Sequence, residues 1–310
     1  MANYIVTGAA GFIGAALAKK FIEEGHSVVT IDNLSTGYEE NIPKGVDFIK
    51  GDCSDYSVYK LLKNKKYDAI FHLAGQSSGE ISFDDPIYDI RTNAESTLLL
   101  LKFALKNDCY RFIYAGTMSV YGIKPDHPVD EKETCMPQSF YGVAKLASEH
   151  YMRIYQQYGI NSTSLRLFNV YGPGQNMLNF RQGMISIFMA QMIENGHIHI
   201  KGSKSRFRDF VYIDDVVESF ILCLTRQETW GENINIAAGK KTTVGELIGI
   251  MSAKYNKDVT MNFSGSTKGD IHGIWACTKK MKDMLGIEDV TKLEDGLNKM
   301  LSWASKTKRN

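Results

Sequence analysis

Tyr141 and Lys145 stand four residues apart in Tyr141-Gly142-Val143-Ala144-Lys145. On a helix that spacing sets phenol and ammonium on one face. A free phenol, with a pKa near ~10, is a weak base at neutral pH, and a nearby cation favours its phenolate. Such a pair can take a proton from a hydroxyl while hydride leaves the same carbon. Two further hydroxyls, Thr117 and Ser119, lie in Ala115-Gly116-Thr117-Met118-Ser119-Val120-Tyr121-Gly122, directly after the β-rich run of residues 111–115. Either could hydrogen-bond the reacting oxygen. Taken alone, a Tyr and a Lys at this spacing are as well explained by an amphipathic helix with a snorkelling Lys. The chemistry needs a hydride acceptor, and the N-terminus offers a place for one.

There the apolar run Tyr4-Ile5-Val6 leads into Thr7-Gly8-Ala9-Ala10-Gly11-Phe12-Ile13-Gly14, and an amphipathic helix follows over residues 15–22. Glycines at a strand-to-helix turn let the backbone approach a pyrophosphate, and the helix start presents N–H groups and a positive dipole end. The next apolar run, Ser27-Val28-Val29-Thr30-Ile31, closes in Asp32. A carboxylate there can accept both ribose hydroxyls of an adenosine and repels a 2′-phosphate, which favours NAD over NADP.

The elements that must position these residues alternate strand and helix. Residues 68–74 and 111–115 read as strands, 92–104 as the helix between them, and 162–168 as another strand, broken by the Gly/Pro cluster 171–175. This pattern predicts an α/β, Rossmann-type doubly wound parallel sheet with ligands at the carboxyl ends of its strands. Residues 177–202 read as a loop and a Met-rich helix, 210–213 as a strand returning to the sheet, and the tail from Thr242 as mixed helices. The expected division is an NAD-binding domain of residues 1–168 plus 209–236 and a smaller substrate domain of 169–208 plus 237–310.

Composition excludes several classes. The 310 residues are 44% hydrophobic and 23% charged with a formal net charge of +1, so no global field recruits nucleic acid or anionic lipid. The basic run Lys306-Thr307-Lys308-Arg309 is expected to be solvated tail. Five scattered cysteines without a Cys-x-x-Cys pair argue against a disulfide framework or a metal site and suit a reducing cytoplasm. No apolar run reaches the ~18 residues of a membrane span, and the first strand begins too early for a signal peptide.

The motifs together resemble an extended short-chain dehydrogenase/reductase of the NAD-dependent epimerase/dehydratase family. The resemblance runs essentially end to end. It rests on the glycine turn, Asp32-Asn33-Leu34, Gly51-Asp52, His72-Leu73-Ala74-Gly75, Asn93, Thr117 through Gly122, and Tyr141-x-x-x-Lys145. It continues through Arg166-x-Phe168-Asn169, Tyr171-Gly172-Pro173-Gly174 and Arg208-Asp209-Phe210. The resemblance implies that Thr117, rather than Ser119, partners Tyr141 and Lys145 in catalysis. It implies NAD contacts from Gly8, Gly11, Phe12, Ile13 and Gly14, then from Asp32, Asn33, Asp52 and Cys53. Leu73, Ala74, Gly75, Asn93, Tyr141, Lys145 and Phe168 would complete that site. Thr117, Asn169 and Arg208 would hold a nucleotide-sugar, and the active form would be a homodimer.

Within the family, members that dehydrate or decarboxylate the sugar carry an acid at the position of Ser119. Met118-Ser119 cannot supply that base. The expected reaction is therefore sugar 4-epimerisation through a transient 4-keto intermediate. A 4-dehydrogenase or ketoreductase with net redox change is the alternative, and a non-catalytic NAD-sensing regulator a remote one. Two departures bear on the sugar nucleotide. Thr267-Lys268 precedes Gly269-Asp270 where related epimerases carry a second Arg, and Ile274 occupies the position that gates larger C2 substituents.

Overall fold

In the computed structural model, which describes residues 1–62, 65–255, 258–266 and 271–306, the apolar runs become strands whose alternate side chains serve two cores. The order begins β1 (Asn3–Thr7), α1 (Phe12–Glu23), β2 (Ser27–Asp32), β3 (Asp47–Lys50), β4 (Ala69–His72), α2 (Pro86–Ile90), α3 (Ser96–Lys106) and β5 (Arg111–Thr117). It continues with α4 (Phe140–Tyr155), β6 (Asn161–Leu167), β7 (Asn169–Tyr171), α5 (Met184–Asn195), β8 (His197–Lys201), β9 (Phe207–Arg208) and β10 (Phe210–Tyr212). It closes with α6 (Ile213–Leu222), β11 (Asn233–Ile236), β12 (Thr242–Thr243), α7 (Val244–Tyr255), β13 (Thr260–Ser264), α8 (Lys279–Leu285) and α9 (Leu293–Lys306).

Seven strands in the order β3-β2-β1-β4-β5-β6-β11 form one sheet, parallel throughout. The period of two sorts its side chains. Val6, Phe71 and Ile113 face α1 and α6, while Ile5, Ile70 and Phe112 face α3. The chain leaves β1 toward β2 and β3, then crosses back to β4, so the sheet's switch point lies between β1 and β4. Ligands of such sheets bind outside the carboxyl ends there. Thr7 and His72 pin these two strand ends together. The Thr7 hydroxyl accepts from the Leu73 and Ala74 amides (3.2 and 3.1 Å), so its own proton goes to His72 Nδ1 at 2.9 Å. His72 Nε2 then donates to Ser96 Oγ at 3.2 Å, and burial keeps this imidazole neutral.

Three sequence expectations shift. The helix expected over 92–104 begins earlier: α2 runs into a π turn, Arg91–Glu95, and then α3, with Pro86 at the first turn and Asp85 capping it. The strand 210–213 does not rejoin the large sheet. β10 pairs with β7 in a separate two-stranded ribbon, and the strand that extends the sheet is β11 beside β6. Residues 177–202 contain a strand as well as a helix. Gly196 ends α5 in a left-handed turn, and His-Ile-His-Ile-Lys then buries only Ile198 and Ile200, a period of two overshadowed by the helix before it. β8 pairs with β13, and β9 with β12. Of the basic tail, residues 307–310 lie outside the described residues.

Candidate active site

A cleft of about 400 Å³ opens at the carboxyl ends of β1, β4 and β5. Its floor is the glycine turn. Gly8 has φ +78°, a left-handed conformation, and a Cβ there would lie 2.8 Å from the Ala74 amide nitrogen. A methyl on Gly14 would run into the Gly8 carbonyl. Gly11 starts α1 with no side-chain cap, leaving first-turn N–H groups for a ligand. A cradle this close to bare backbone at an uncapped helix N-terminus fits a pyrophosphate. Gly8, Gly11, Phe12, Ile13 and Gly14 all line the cleft.

At the far end stand Asp32, Asn33, Asp52 and Cys53. The Asp32 carboxylate accepts from the Ala10 and Leu34 amides at 2.9 and 2.8 Å, which fixes its plane while leaving lone pairs for ribose hydroxyls. Asn33 Nδ2 donates to Asp52 Oδ2 at 2.8 Å, and Asp52 Oδ1 accepts from the Ser54 amide and hydroxyl. Burial holds the Cys53 thiol far above its usual range, so it serves as a wall and not as a nucleophile. Leu73, Ala74 and Gly75 line the middle of the cleft. Asn93 stands behind them, fully buried and off the wall, donating to the Gln76 carbonyl at 2.9 Å and Asp89 Oδ1 at 3.3 Å. From there it supports the Gly75–Gln76 backbone.

The catalytic candidates converge. Ser139 caps α4 by accepting from the Gly142 amide at 3.1 Å, which brings Tyr141 into the first turn and Lys145 one turn later. Thr117 ends β5, where its hydroxyl accepts from the Ser119 amide at 3.2 Å. Thr117, Tyr141, Lys145, Met118, Ser119 and Phe168 share one wall. Lys145 Nζ donates to the Ala115 carbonyl at 3.0 Å and sits 4.5 Å from the Tyr114 ring centre and 5.9 Å from that of Tyr141. Burial lowers the ammonium to about 8 against the opposing pull of Asp89 and Glu149. The phenol behaves differently from expectation. Burial pushes Tyr141 up to about 12, with only the Thr117 hydroxyl drawing it down, because the dry wall costs the phenolate more than its neighbours return.

Next to this wall, Asn169 lines the cleft, its Nδ2 donating to the Asp209 carbonyl at 3.0 Å and lying 3.6 Å from Met118 Sδ. Arg208 does not line it. Its guanidinium is buried and donates to the carbonyls of Phe207 (2.7 Å), Ile271 (3.0 Å) and His272 (3.3 Å). Nor does it form a surface ion pair with Asp209, whose carboxylate accepts from the Ala238 and Ala276 amides at 2.9 and 3.1 Å. Arg208 ties β9 to the segment after residue 270. Residues 267–270, the site of the departure from the second Arg, lie outside the described residues. Ile274 is buried beside Phe168 and Val120, beneath the catalytic wall.

Sequence reasoning missed a run of amides. Gln175, Asn176, Asn179 and Gln182 line the cleft, and Gln182 Nε2 donates to Ser77 Oγ at 2.6 Å. Beside this bond, Ser78 Oγ donates to the Arg181 carbonyl at 3.1 Å, and Arg181 Nη2 meets Asp84 Oδ2 at 2.7 Å. The signal was available: four amides in eight residues after a Gly/Pro break are an unusual density of donors and acceptors for a plain loop. No helix among the described residues is long and apolar enough to cross a membrane.

Comparison with known proteins agrees with this geometry. The putative UDP-glucose 4-epimerase of Methanocaldococcus jannaschii is 32% identical over 98% of this chain and 99% of its own length. The structure of UDP-glucose 4-epimerase with UDP-glucose from Thermotoga maritima superposes with a TM-score of 0.93 at 34% identity, over 98% and 99% of the two chains. A UDP-N-acetylglucosamine 4-epimerase from Methanobrevibacter ruminantium, solved with UDP-N-acetylmuramic acid, does so with a TM-score of 0.92 at 29% identity, over 98% of each chain. The model of the NAD dependent epimerase/dehydratase family matches residues 4–237, and the chain belongs to that family.

Proposed function

We propose that the protein is a nucleotide-sugar 4-epimerase that uses bound NAD and passes through a 4-keto sugar held in place. The carrying observation is one cleft wall bearing Thr117, Tyr141 and Lys145, with Met118-Ser119 beside them, above a glycine cradle shaped for a pyrophosphate. NAD, when bound, supplies the acceptor and donor of hydride at the sugar's C4. The glycine turn holds its pyrophosphate, and Asp32, with Asn33, Asp52 and Cys53 around it, holds the adenosine. Tyr141 takes the proton of the C4 hydroxyl and, once the keto sugar has turned, returns it to the same oxygen as hydride comes back to the opposite face of C4. Thr117 hydrogen-bonds the same oxygen and draws the phenol down against burial, while the Lys145 ammonium stands one turn along the same helix face.

Residues 1–168 plus 209–236 form the NAD-binding part in this reading, and 169–208 plus 237–310 the sugar-nucleotide part. Asn169 meets the sugar nucleotide directly. Arg208 either swings toward its diphosphate or shapes the segment that does. Related proteins named for UDP-sugars make a UDP-hexose the first candidate. Exposed Leu98 on α3 and Val143 and Ile154 on α4 supply an apolar face for a homodimer, and five free cysteines suit the cytoplasm.

The test is incubation of the purified protein with UDP-, GDP-, CDP- and dTDP-sugars and chromatography of the products. Interconversion of two C4 epimers of one nucleotide-sugar supports the reading. Release of a keto sugar, or turnover only with an added oxidant or reductant, replaces it with a dehydrogenase or ketoreductase.

A further inference from the structure

Four ionisable side chains are sunk around the middle of α4. Lys145 and Glu149 belong to α4 itself, Arg166 to β6 and Asp89 to α2, with relative exposures of 4%, 6%, 3% and 0%. Buried charge persists only where it is paired or richly hydrogen-bonded. Glu149 and Arg166 satisfy each other: Nε meets Oε1 at 3.0 Å, Nη2 meets Oε2 at 2.7 Å, and Ser164 adds a donor to Oε1 at 2.9 Å. That pair is closed. Two opposite charges remain.

Lys145 has a neutral carbonyl and an aromatic face as its contacts. Asp89 Oδ1 accepts from Gln76 Nε2 at 2.8 Å and Asn93 Nδ2 at 3.3 Å, while Oδ2 has no hydrogen-bond partner. The other buried aspartates of the described residues, Asp32 and Asp209, take backbone amides elsewhere in the fold. Local structure sets Asp89 toward α4. It lies just before the π turn that carries Asn93, and the Asn93 carbonyl accepts from Ser148 Oγ at 3.1 Å, less than one turn beyond Lys145. The two groups act on each other: Asp89 favours the ammonium, and Lys145 opposes the rise that burial imposes on the Asp89 carboxyl.

We infer that Asp89 is a positioning residue, the buried counter-charge that keeps Lys145 an ammonium at the Tyr141 wall. The inference rests on the reading of Lys145 as the partner of Tyr141. Lys145 is faced by Asp89 from α2, Glu149 and Tyr141 from α4, Tyr114 from β5 and His72 from β4. Glu149 is spent on Arg166, His72 is neutral, and the two phenols are uncharged well above neutrality. Among these groups Asp89 is the carboxylate that no other cation neutralises.

The decisive variant is Asp89→Asn, which keeps the shape and an acceptor for Gln76. Lysine ε-carbon NMR titration of the purified protein, with the Lys145 signal identified by its loss in Lys145→Met, reads the ammonium directly. Removal of this opposite charge should lower its midpoint by about one to three pH units. The alkaline loss of NAD affinity in calorimetry should move by the same amount. An unchanged midpoint in a folded Asp89→Asn protein overturns the inference. If that variant does not fold, thermal melting of Asp89→Asn/Lys145→Met decides. A counter-charge predicts the double variant to be more stable than Asp89→Asn, because no lone charge stays buried, whereas additive losses contradict it. None of these readouts needs a sugar substrate. A shifted midpoint without epimerisation therefore removes the functional reading and leaves the pair, and the reverse result removes the pair alone.

Discussion

The two sides of the cleft are held by different means. The cofactor side is backbone: the ends of β1, β2 and β4 in one parallel sheet, a glycine turn with no room for a Cβ, and an uncapped helix start. The facing side is hung on side chains. Ser77, Ser78 and Asp84 reach across to Gln182 and Arg181, and Arg208 gathers carbonyls from two segments. A rigid side suits a cofactor that stays, and a side closed by replaceable polar contacts suits a substrate that enters, turns and leaves.

The contrast breaks most sharply on the rigid side. Gly14→Ala places a methyl against the Gly8 carbonyl and pushes the cradle open. Loss of two charge-assisted backbone bonds, at about 1.5–3 kcal/mol each, should weaken NAD binding on the order of 10²–10⁴-fold in calorimetry. A variant that binds NAD normally would mean that the pyrophosphate lies elsewhere. Tyr141→Phe keeps the packed ring and removes the proton acceptor. It should lower kcat roughly 10²–10⁴-fold with NAD affinity nearly intact, and near-normal turnover would assign the base to another group.

On the side-chain-built wall the effects should be smaller and fall on the sugar nucleotide. Arg208→Ala should raise KM and the inhibition constant of the free nucleoside diphosphate together, roughly ten- to a hundredfold, and should lower the melting temperature because the bonds that tie Phe207, Ile271 and His272 through its guanidinium are lost. A change in cofactor affinity alone would move Arg208 to the other side of the comparison. Arg181→Ala loosens a half-exposed ion pair with Asp84 worth about 0.2–1 kcal/mol. KM should rise about 1.5- to 5-fold at low salt, and the difference should vanish at high salt. A salt-independent effect would contradict an electrostatic role for the Arg181 side chain.

This division also decides what could be read from the sequence. Gly8 to Gly14, Asp32, and the Tyr141–Lys145 spacing are short-range patterns whose geometry follows from one turn or one helix, and the structure places each on the cleft. Arg208 and Asn93 were legible as residues of interest but not as to where their side chains go, since that depends on carbonyls of residues 271–272 and 76. The strand read over 210–213 was visible, whereas its partner was not: β10 is three residues long, and only tertiary packing sets it beside β7 rather than in the large sheet. The amide run 175–182 has no periodicity to betray it, because its order comes from contacts with residues 77–84.

The central claim is that the sugar is oxidised and reduced at C4 without leaving the cleft. Its most direct test is a nucleotide-sugar deuterated at C4, incubated with the purified protein and no NAD beyond what it carries. The account predicts two C4 epimers at equilibrium, deuterium retained at C4, and no near-ultraviolet absorbance of reduced NAD growing beyond the amount of protein. Sustained growth of that absorbance, or loss of the label to solvent or to added cofactor, would contradict it.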